Sequence, residues 1–446
     1  MKNLLKNNFG INLIIILAVI PFFIWFFMLP ITDRFLSFPT ILRSLGQITG
    51  LLGMTLLSIN FILAARFKFL DKLFNGLNRV YIKHHLVGAI AFCLLLFHPT
   101  FLIIQYLFFS LKASFNFIFS FQDLAIIFGE LALLVFIVLM VITFYLNFKY
   151  QNWKNTHKYL GLVLFIGLGH MLLIPSDISN NLFLRYYLII LTILGIYSYL
   201  YRTIFSVYEK GEYQYKLKEV IKINDNIFEL KLTPLAKKIK FSPGQFVFLR
   251  FKHSTQTGNP EDILVESHPF SITSVPSNEE LSLGIKILGD YTSMVYLLKP
   301  GVFCLIEGPF GTFSYLRAKT KRQIWIGGGI GITPFLSMAR QIKASGTDTS
   351  GYKIDLYYTV KNNSEAAFGE EFEKIAEQNI NFKFHQHFSE KEGYISANFI
   401  SQNSQNLKDA EIFLCGPLGF MQSLRKQFIK LGFINKKIHS EEFSIK

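Results

Sequence analysis

The sequence predicts a multi-domain chain: an all-α bundle of six transmembrane helices, then an antiparallel β-barrel, then a Rossmann-like α/β domain. Three observations predict it. Hydrophobic residues make up 51% of the 446-residue chain, and they crowd into residues 1–208 as six runs near the roughly 20 residues that cross a bilayer. Beyond a composition break near Tyr208–Gly211, short apolar runs separated by turn residues read as strands of a small barrel. From Arg322 onward, strand-like and helix-like segments alternate, as in a parallel sheet. The domains fall at 1–208, 209–320 and 321–446.

The six spans lie at about 11–29, 45–65, 82–108, 121–147, 158–175 and 184–205. No small-residue cleavage site follows the first, which reads as a retained helix. Ten Lys and Arg residues occupy the loops on one side and four (Arg34, Arg43, Lys112, Arg185) those on the other. That excess places the N-terminus and the soluble half in the cytoplasm, with the chain integral to a bacterial-type inner or plasma membrane. The net charge of +15 is largely this loop charge. No nucleic-acid-reading module is present. Cys93, Cys304 and Cys415 are too few for a four-cysteine iron–sulfur site or a disulfide framework. The surroundings expected are membrane lipid, with no nucleic acid and no obligate protein partner.

In the second half, Phe246–Phe251, Leu281–Ile287 and Phe303–Glu307 read as barrel strands. The α/β pattern then runs through strand Gln323–Ile326, helix Ile332–Lys343, strand Ile354–Val360, helix Ala367–Gln378, strands Phe382–His387 and Glu411–Cys415, and helix Met421–Leu431.

Ionisable residues in a membrane span are costly and call for a reason. The third span carries His84 and His98, the fifth His157 and His170. Spacings of 14 and 13 residues separate the imidazoles by roughly 20 Å along each helix, the separation of two cofactors stacked across a membrane. Imidazole is a standard axial ligand of iron, so four histidines in two pairs of matched depth point to two b-type haems. His84-His85-Leu86-Val87-Gly88 echoes His157-Lys158-Tyr159-Leu160-Gly161. Fourteen residues keep two side chains nearly on one face, while thirteen leave them about 140° apart. The fifth helix must therefore be overwound or its haem tilted. His85 rivals His84 as ligand. Glu130, in the fourth span, reads either as part of a proton path near the second haem or as an interhelical hydrogen-bonding group.

Four further segments point to flavin and dinucleotide chemistry. In His268-Pro269-Phe270-Ser271-Ile272-Thr273, Phe270 can lie against a flavin ring and Ser271 can hydrogen-bond near its reactive nitrogen. Gly289-Asp290-Tyr291-Thr292 reads as a turn into a helix whose free N–H groups hold a pyrophosphate. Gly327-Gly328-Gly329-Ile330-Gly331-Ile332-Thr333-Pro334 follows an apolar strand and opens a helix, again a phosphate-binding arrangement. Cys415-Gly416-Pro417 stands at the carboxyl end of a later strand, where open α/β sheets bind ligands. Lys361, at the end of strand Ile354–Val360, leans toward the phosphate of NADPH over NADH, or is a solvated surface charge.

Together these residues resemble the ferric reductase and NADPH oxidase superfamily over nearly the whole chain. The matching segments are the paired histidines, Ser242-Pro243-Gly244-Gln245-Phe246, His268–Ser271, Gly308-Pro309-Phe310-Gly311, Gly327–Pro334, Cys415–Pro417 and Glu441-Glu442-Phe443. The resemblance implies FAD in the barrel domain, NAD(P)H in the last domain, and haems held by His84 with His157 and by His98 with His170. It also implies that Phe443 covers the flavin until nicotinamide displaces it, so the catalytic candidates are Phe443, Cys415 and Ser271. The activity implied is transfer of electrons from cytoplasmic NAD(P)H through FAD and haem to a small-molecule acceptor, oxygen or a ferric chelate, on the far side. Animal superoxide-producing members carry a further His one turn past the second ligand. Here Leu102 stands there and Pro99 follows His98, which leaves the acceptor open. A competing hypothesis is a haem-free, membrane-anchored flavin reductase.

Overall fold

A computed structural model describes residues 9–146, 148, 150–204, 213–251, 266–345 and 351–441, without the side chains of 150 and 151. Phe443, with Glu442, and the predicted boundary at Tyr208–Gly211 lie outside the described residues. Two compact units divide the chain, Met1–Lys210 and Gly211–Lys446.

Six helices of the first unit are long and apolar enough to cross a membrane, as in an integral membrane protein. They are α1 (Phe9–Phe26), α2 (Phe38–Ala64), α3 (Leu77–Phe109), α4 (Leu124–Tyr145), the fifth span, and α7 (Leu182–Thr203). Polar residues at their starts satisfy the otherwise unpaired first-turn N–H groups. Asp123 Oδ1 accepts from Ala125 N at 2.9 Å, and Asn181 Oδ1 from Leu184 N at 2.9 Å. The bundle centres on α2, which packs against α3 and α7. Its buried hydroxyls donate to its own carbonyls, as Thr55 does to Leu51 O at 2.7 Å, so they cost little in an apolar interior. Small residues then let the helices close up. Gly53 leaves room for Leu95, and Ser58 Oγ meets Thr192 Oγ1 of α7 at 3.2 Å. Large apolar side chains such as Phe23, Phe97, Leu134 and Ile190 point outward, where a lipid phase would cover them.

The fifth span differs from a single predicted helix. It is α5 (Tyr150–Lys158) and α6 (Leu160–Leu173), interrupted at Tyr159. Tyr159 N donates to Thr156 O at 3.0 Å and Leu162 N to Tyr159 O at 2.9 Å. These three-residue bonds wind the chain more tightly than an α-helix does. A local tightening, one of the two alternatives left by the 13-residue histidine spacing, is thus found at one point between the two histidines.

The second unit holds two sheets. The first joins β1 (Tyr213–Lys222), β2 (Ile227–Pro234), β3 (Phe246–Phe251), β4 (His268–Ser271), β5 (Leu281–Lys286) and β6 (Phe303–Phe310) in the antiparallel order β4-β3-β6-β1-β2-β5. A bridge from Ile272 to Leu283 brings the two edges together, so the sheet curls into a barrel. Inward residues such as Leu217, Phe228, Leu230, Val247, Leu283 and Ile306 fill it, and helix α8 (Asp290–Tyr296) adds Tyr291 and Val295 to that core. The second sheet is parallel, in the order β11-β10-β7-β8-β9. Its strands are β7 (Arg322–Gly328), β8 (Lys353–Val360), β9 (Phe382–Phe388), β10 (Glu411–Cys415) and β11 (Ile438–Glu441). Helices α9 (Thr333–Ala344), α10 (Gly369–Gln378) and α11 (Leu418–Lys430) accompany it. β11 has no counterpart among the predicted strands, since four residues carry little periodicity.

Candidate functional site

The four membrane histidines meet in two pairs. The ring centroids of His84 and His157 are 6.2 Å apart, and so are those of His98 and His170. Two metal–imidazole bonds of about 2.0 Å with two ring radii of about 1.1 Å span about 6.2 Å, so each gap has the width for one iron between trans imidazoles. Among the described residues, no three His, Cys, Asp or Glu side chains converge on a bare-ion site. Two axial donors alone suit an ion whose other ligands come from a ring. His84 is the ring facing His157, while its rival His85 is exposed.

The carbonyls that set these rings were not legible as site residues. His98 Nδ1 lies 2.7 Å from Gly46 O, and His170 Nδ1 lies 2.7 Å from Ala125 O. Such a bond places the proton on Nδ1 and turns Nε2 toward the metal position. One turn further along each partner helix stands a glycine. A Cβ on Gly50 would come within 2.7 Å of His98, and one on Gly129 within 2.8 Å of His170. The small pairs Gly46/Gly50 and Ala125/Gly129, four apart in apolar spans, are the signal that could have found them. At the other pair, His84 Nδ1 lies 3.1 Å from Asn60 O, and His157 Nδ1 lies 3.5 Å from Thr143 Oγ1. A cavity of about 970 Å³ opens beside His98 and His170. The donor sets and the glycine-cleared spaces fit haem.

In the barrel, β4 pairs antiparallel with β3, setting Pro269 opposite Phe248 and Phe270 opposite Val247. The His268 ring stacks 3.9 Å from Tyr291, and Phe270 lies 6.3 Å from the same ring. His268, Phe270 and Tyr291 thus form one aromatic group, with Glu266 2.9 Å from His268 Nε2. Ser271 is buried, and its hydroxyl has no hydrogen-bond partner among the described residues, which fits a ligand such as flavin. Two other predicted hydroxyls are already committed. Thr273 Oγ1 donates its proton to the buried Glu229 carboxylate at 2.5 Å. Thr292 Oγ1 accepts from Leu288 N at 2.9 Å and Gly289 N at 3.2 Å, closing its own turn. Glu229 also accepts from Arg340 at 2.7 Å, and Arg340 is held by Glu371 on α10. Burial pulls the Arg340 guanidinium down, but Glu371 and Glu229 outweigh it and keep it charged. The segment after the flavin motif is thereby tied to α9.

In the parallel sheet the chain winds outward one way from β7 through β8 and β9, then the other way through β10 and β11. The point of reversal lies between β7 and β10, where such sheets bind ligands beyond their carboxyl ends. Gly327 of β7 pairs there with Cys415 of β10. Gly329 has a φ of +54° and open space around it, which exposes its backbone. A Cβ at Gly331 would stand 2.4 Å from Cys415 O, so only glycine lets the two turns touch. Gly328 packs on Pro417 and Phe420 of the facing turn, and Gly416 on Gly328. Thr333 Oγ1 donates to Ile330 O at 2.9 Å, and Pro334 lies in the first turn of α9. The Cys415 thiol is fully buried in the apolar core, and burial pushes its pKa well up. Lys361 is exposed at the end of β8.

A helical bundle with two facing-histidine gaps, on one chain with a flavin-type barrel and a nicotinamide-type sheet, defines a class of membrane oxidoreductase architecture. Three family profiles match in that order: a ferric reductase like transmembrane component over residues 49–168, an FAD-binding domain over 212–314, and an oxidoreductase NAD-binding domain over 325–426. The chain belongs to the ferric reductase/NADPH oxidase superfamily. One relative is the ferredoxin–NAD(P)(+) reductase component of naphthalene 1,2-dioxygenase/salicylate 5-hydroxylase systems of a Ralstonia species. It is 27% identical over 219 residues, covering 47% of this chain and 62% of the relative. Another is a superoxide-generating NADPH oxidase heavy chain of Dictyostelium discoideum, 33% identical over 125 residues, covering 24% of this chain and 23% of the relative. The chain spans between 52% and 62% of the length of the first curated relatives it matches. Among solved structures, the flavohem-like FAD/NAD-binding domain of nitric oxide dioxygenase from Vibrio cholerae aligns with a TM-score of 0.45 at 18% identity, covering 52% of this chain and 98% of that one.

Proposed function

We propose that this protein is an NAD(P)H-dependent oxidoreductase that moves electrons across the membrane, from a cytoplasmic nicotinamide donor to an acceptor on the opposite face. The observation that carries this reading is the pair of 6.2 Å histidine gaps on a chain that also holds FAD- and NAD-binding domains. His84 and His157 would hold one haem, His98 and His170 the other. His268, Phe270, Ser271 and Tyr291 would hold the flavin ring. Gly327–Gly331 and Gly416 would receive the dinucleotide, with Lys361 favouring NADPH. Phe443 would cover the flavin face between turnovers. Bound FAD supplies the conversion from hydride to single-electron transfer, and bound haems supply one-electron centres inside the apolar phase.

The protein's own work is positional. Nδ1 bonds fix which imidazole nitrogen faces the metal, and glycines make room for the His98 and His170 rings. The loop charges orient the N-terminus and the soluble unit to the cytoplasm. The Dictyostelium relative's name supports oxygen as acceptor, whereas Leu102, in place of the further His of animal superoxide-producing members, leaves a ferric chelate or another acceptor open.

Purified, cofactor-supplemented protein tests the reading by its absorbance spectrum and by two reductase assays. A haem Soret band with NADPH-driven reduction is expected. Superoxide dismutase-sensitive cytochrome c reduction would select oxygen, and direct reduction of a ferric chelate in its absence would select iron. A flavin spectrum with no porphyrin would reduce the protein to a tethered flavin reductase.

A further inference from the structure

We infer that Glu130 is a proton-binding group coupled to the arrival of an electron at the His98–His170 site, an inference that rests on haem ligation there. Glu130 is the only Asp, Glu, Lys or Arg in Leu124–Tyr145. A carboxylate in such a segment is retained at a cost. An interhelical hydrogen bond would be the ordinary reason, yet no hydrogen bond reaches its carboxylate among the described residues, and its side chain is exposed.

Its position gives another reason. Ile126, Gly129, Glu130, Leu133 and Ile137 share one face of α4, and all five line the cavity beside His98 and His170. Gly129 is the residue whose missing Cβ makes room for His170. Glu130 is therefore aimed into the same space as the ligand rings. The cavity also reaches Ser176 and Asp177 beyond the end of α6, and Phe119 and Phe121 before α4, so it extends to the ends of the helices where water can enter.

Every charged or titratable group lining this cavity can be named. α2 contributes Arg43, α3 contributes His98 and Tyr106, α6 contributes His170, and the segment after α6 contributes Asp177. Asp177 is already paired with Arg34 at 3.2 Å. The histidine rings are set by Gly46 O and Ala125 O. Glu130 is thus the one carboxylate of the cavity lining, among the described residues, that is not committed to another group.

An electron entering the site adds one negative charge to the cavity that Glu130 lines. Two unit charges about 10 Å apart at an effective dielectric of about 20 repel strongly enough to raise a carboxylate's proton affinity more than tenfold. One electron comes from the nicotinamide donor, or from dithionite in a reductive titration. One proton from the aqueous rim joins the Glu130 carboxylate, and the cavity's net charge is unchanged. When the acceptor removes the electron, the proton leaves Glu130 beside the reduced product.

The test is spectroelectrochemical titration of haem-loaded protein across a range of pH. One of the two midpoint potentials should fall by up to 59 mV for each tenfold drop in proton concentration, the one-electron limit, while the other stays nearly level. Glu130→Gln should abolish that slope with haem content unchanged, and Glu130→Asp should restore it. His98→Leu should delete the sloping wave and keep the level one. A slope that survives in Glu130→Gln, or two level waves in the wild-type protein, would overturn the inference while leaving haem ligation intact. Absence of haem from the wild-type protein would overturn ligation and, with it, this inference.

Discussion

Side chains make the candidate sites of the membrane unit, whereas backbone turns make much of those in the soluble unit. In the bundle, four imidazoles face each other in pairs, three of them aimed by carbonyls of neighbouring helices and His157 by the Thr143 hydroxyl. In the parallel sheet, the groups facing the ligand side are the Gly327–Gly331 turn and Gly416, while the Cys415 thiol is buried and the Thr333 hydroxyl is turned onto its own backbone. Water explains the difference. Backbone groups in a bilayer are consumed by their own helices and cannot be spared for ligands. At the end of an open sheet, turns and helix starts leave N–H groups free.

This contrast can be broken most directly at the ligands. His98→Leu or His170→Leu should cost the protein one of its two haems, read by pyridine haemochrome assay, with FAD content unchanged; retention of both would refute the side-chain half of the comparison. Gly331→Ala attacks the other half. Its new Cβ would meet Cys415 O at 2.4 Å, an overpacking that costs about 1–3 kcal/mol, and the nicotinamide KM should rise about tenfold or more in single-turnover or steady-state assays. An unchanged KM would mean that the turn is not the docking element.

Finer tests sharpen the contrast within the membrane. Gly50→Ala pushes on the His98 ring and should weaken haem retention about 10–100-fold, the range for disturbed supporting contacts. Thr143→Val removes the 3.5 Å contact to His157 together with the hydroxyl's 2.7 Å bond to Leu139 O in its own helix and should change retention by less than about threefold, measured by haem transfer to apomyoglobin.

A pH effect belongs to the soluble unit. Burial would push the Asp355 carboxyl up, but the Arg322 guanidinium at 2.6 Å and the Ser404 hydroxyl at 2.7 Å hold it below the usual range. Its stabilisation is therefore present above the unfolded value near 3.9 and lost as pH falls through the folded value. Thermal melting of the full chain between pH 6 and 3 should show the loss, and Asp355→Asn should flatten it.

The same contrast explains what could be read in advance. Membrane histidines are rare enough to be noticed singly, and their spacing carried depth, while the pairing came with the family resemblance. Arithmetic on the helix left overwinding or a tilted haem between His157 and His170, and gave no sign that a tightening would fall at Tyr159. Strands β3, β7, β8 and β10 were legible from apolar runs and turn residues, while β11 was too short. Gly46 O, Ala125 O, Asn60 O and Thr143 escaped notice because any residue has a carbonyl and only the fold says which one faces a ring. For Thr273 and Thr292 the residue type suited a ligand, but Glu229 and a local turn had prior claim on the hydroxyls.

The interruption at Tyr159 has a consequence for assembly. It leaves His157 on α5, a nine-residue and mostly polar stub, where the ring stacks 5.0 Å from Trp153 of the same stub and meets Thr143 of α4 at 3.5 Å. A segment so short has little tendency to stay helical on its own. If His157 takes a metal-borne group as proposed, ligation and the docking of this stub would be coupled, because part of the free energy of ligation would go into ordering the chain. Protein prepared without the group should then be nicked by protease here before it is cut elsewhere in the span.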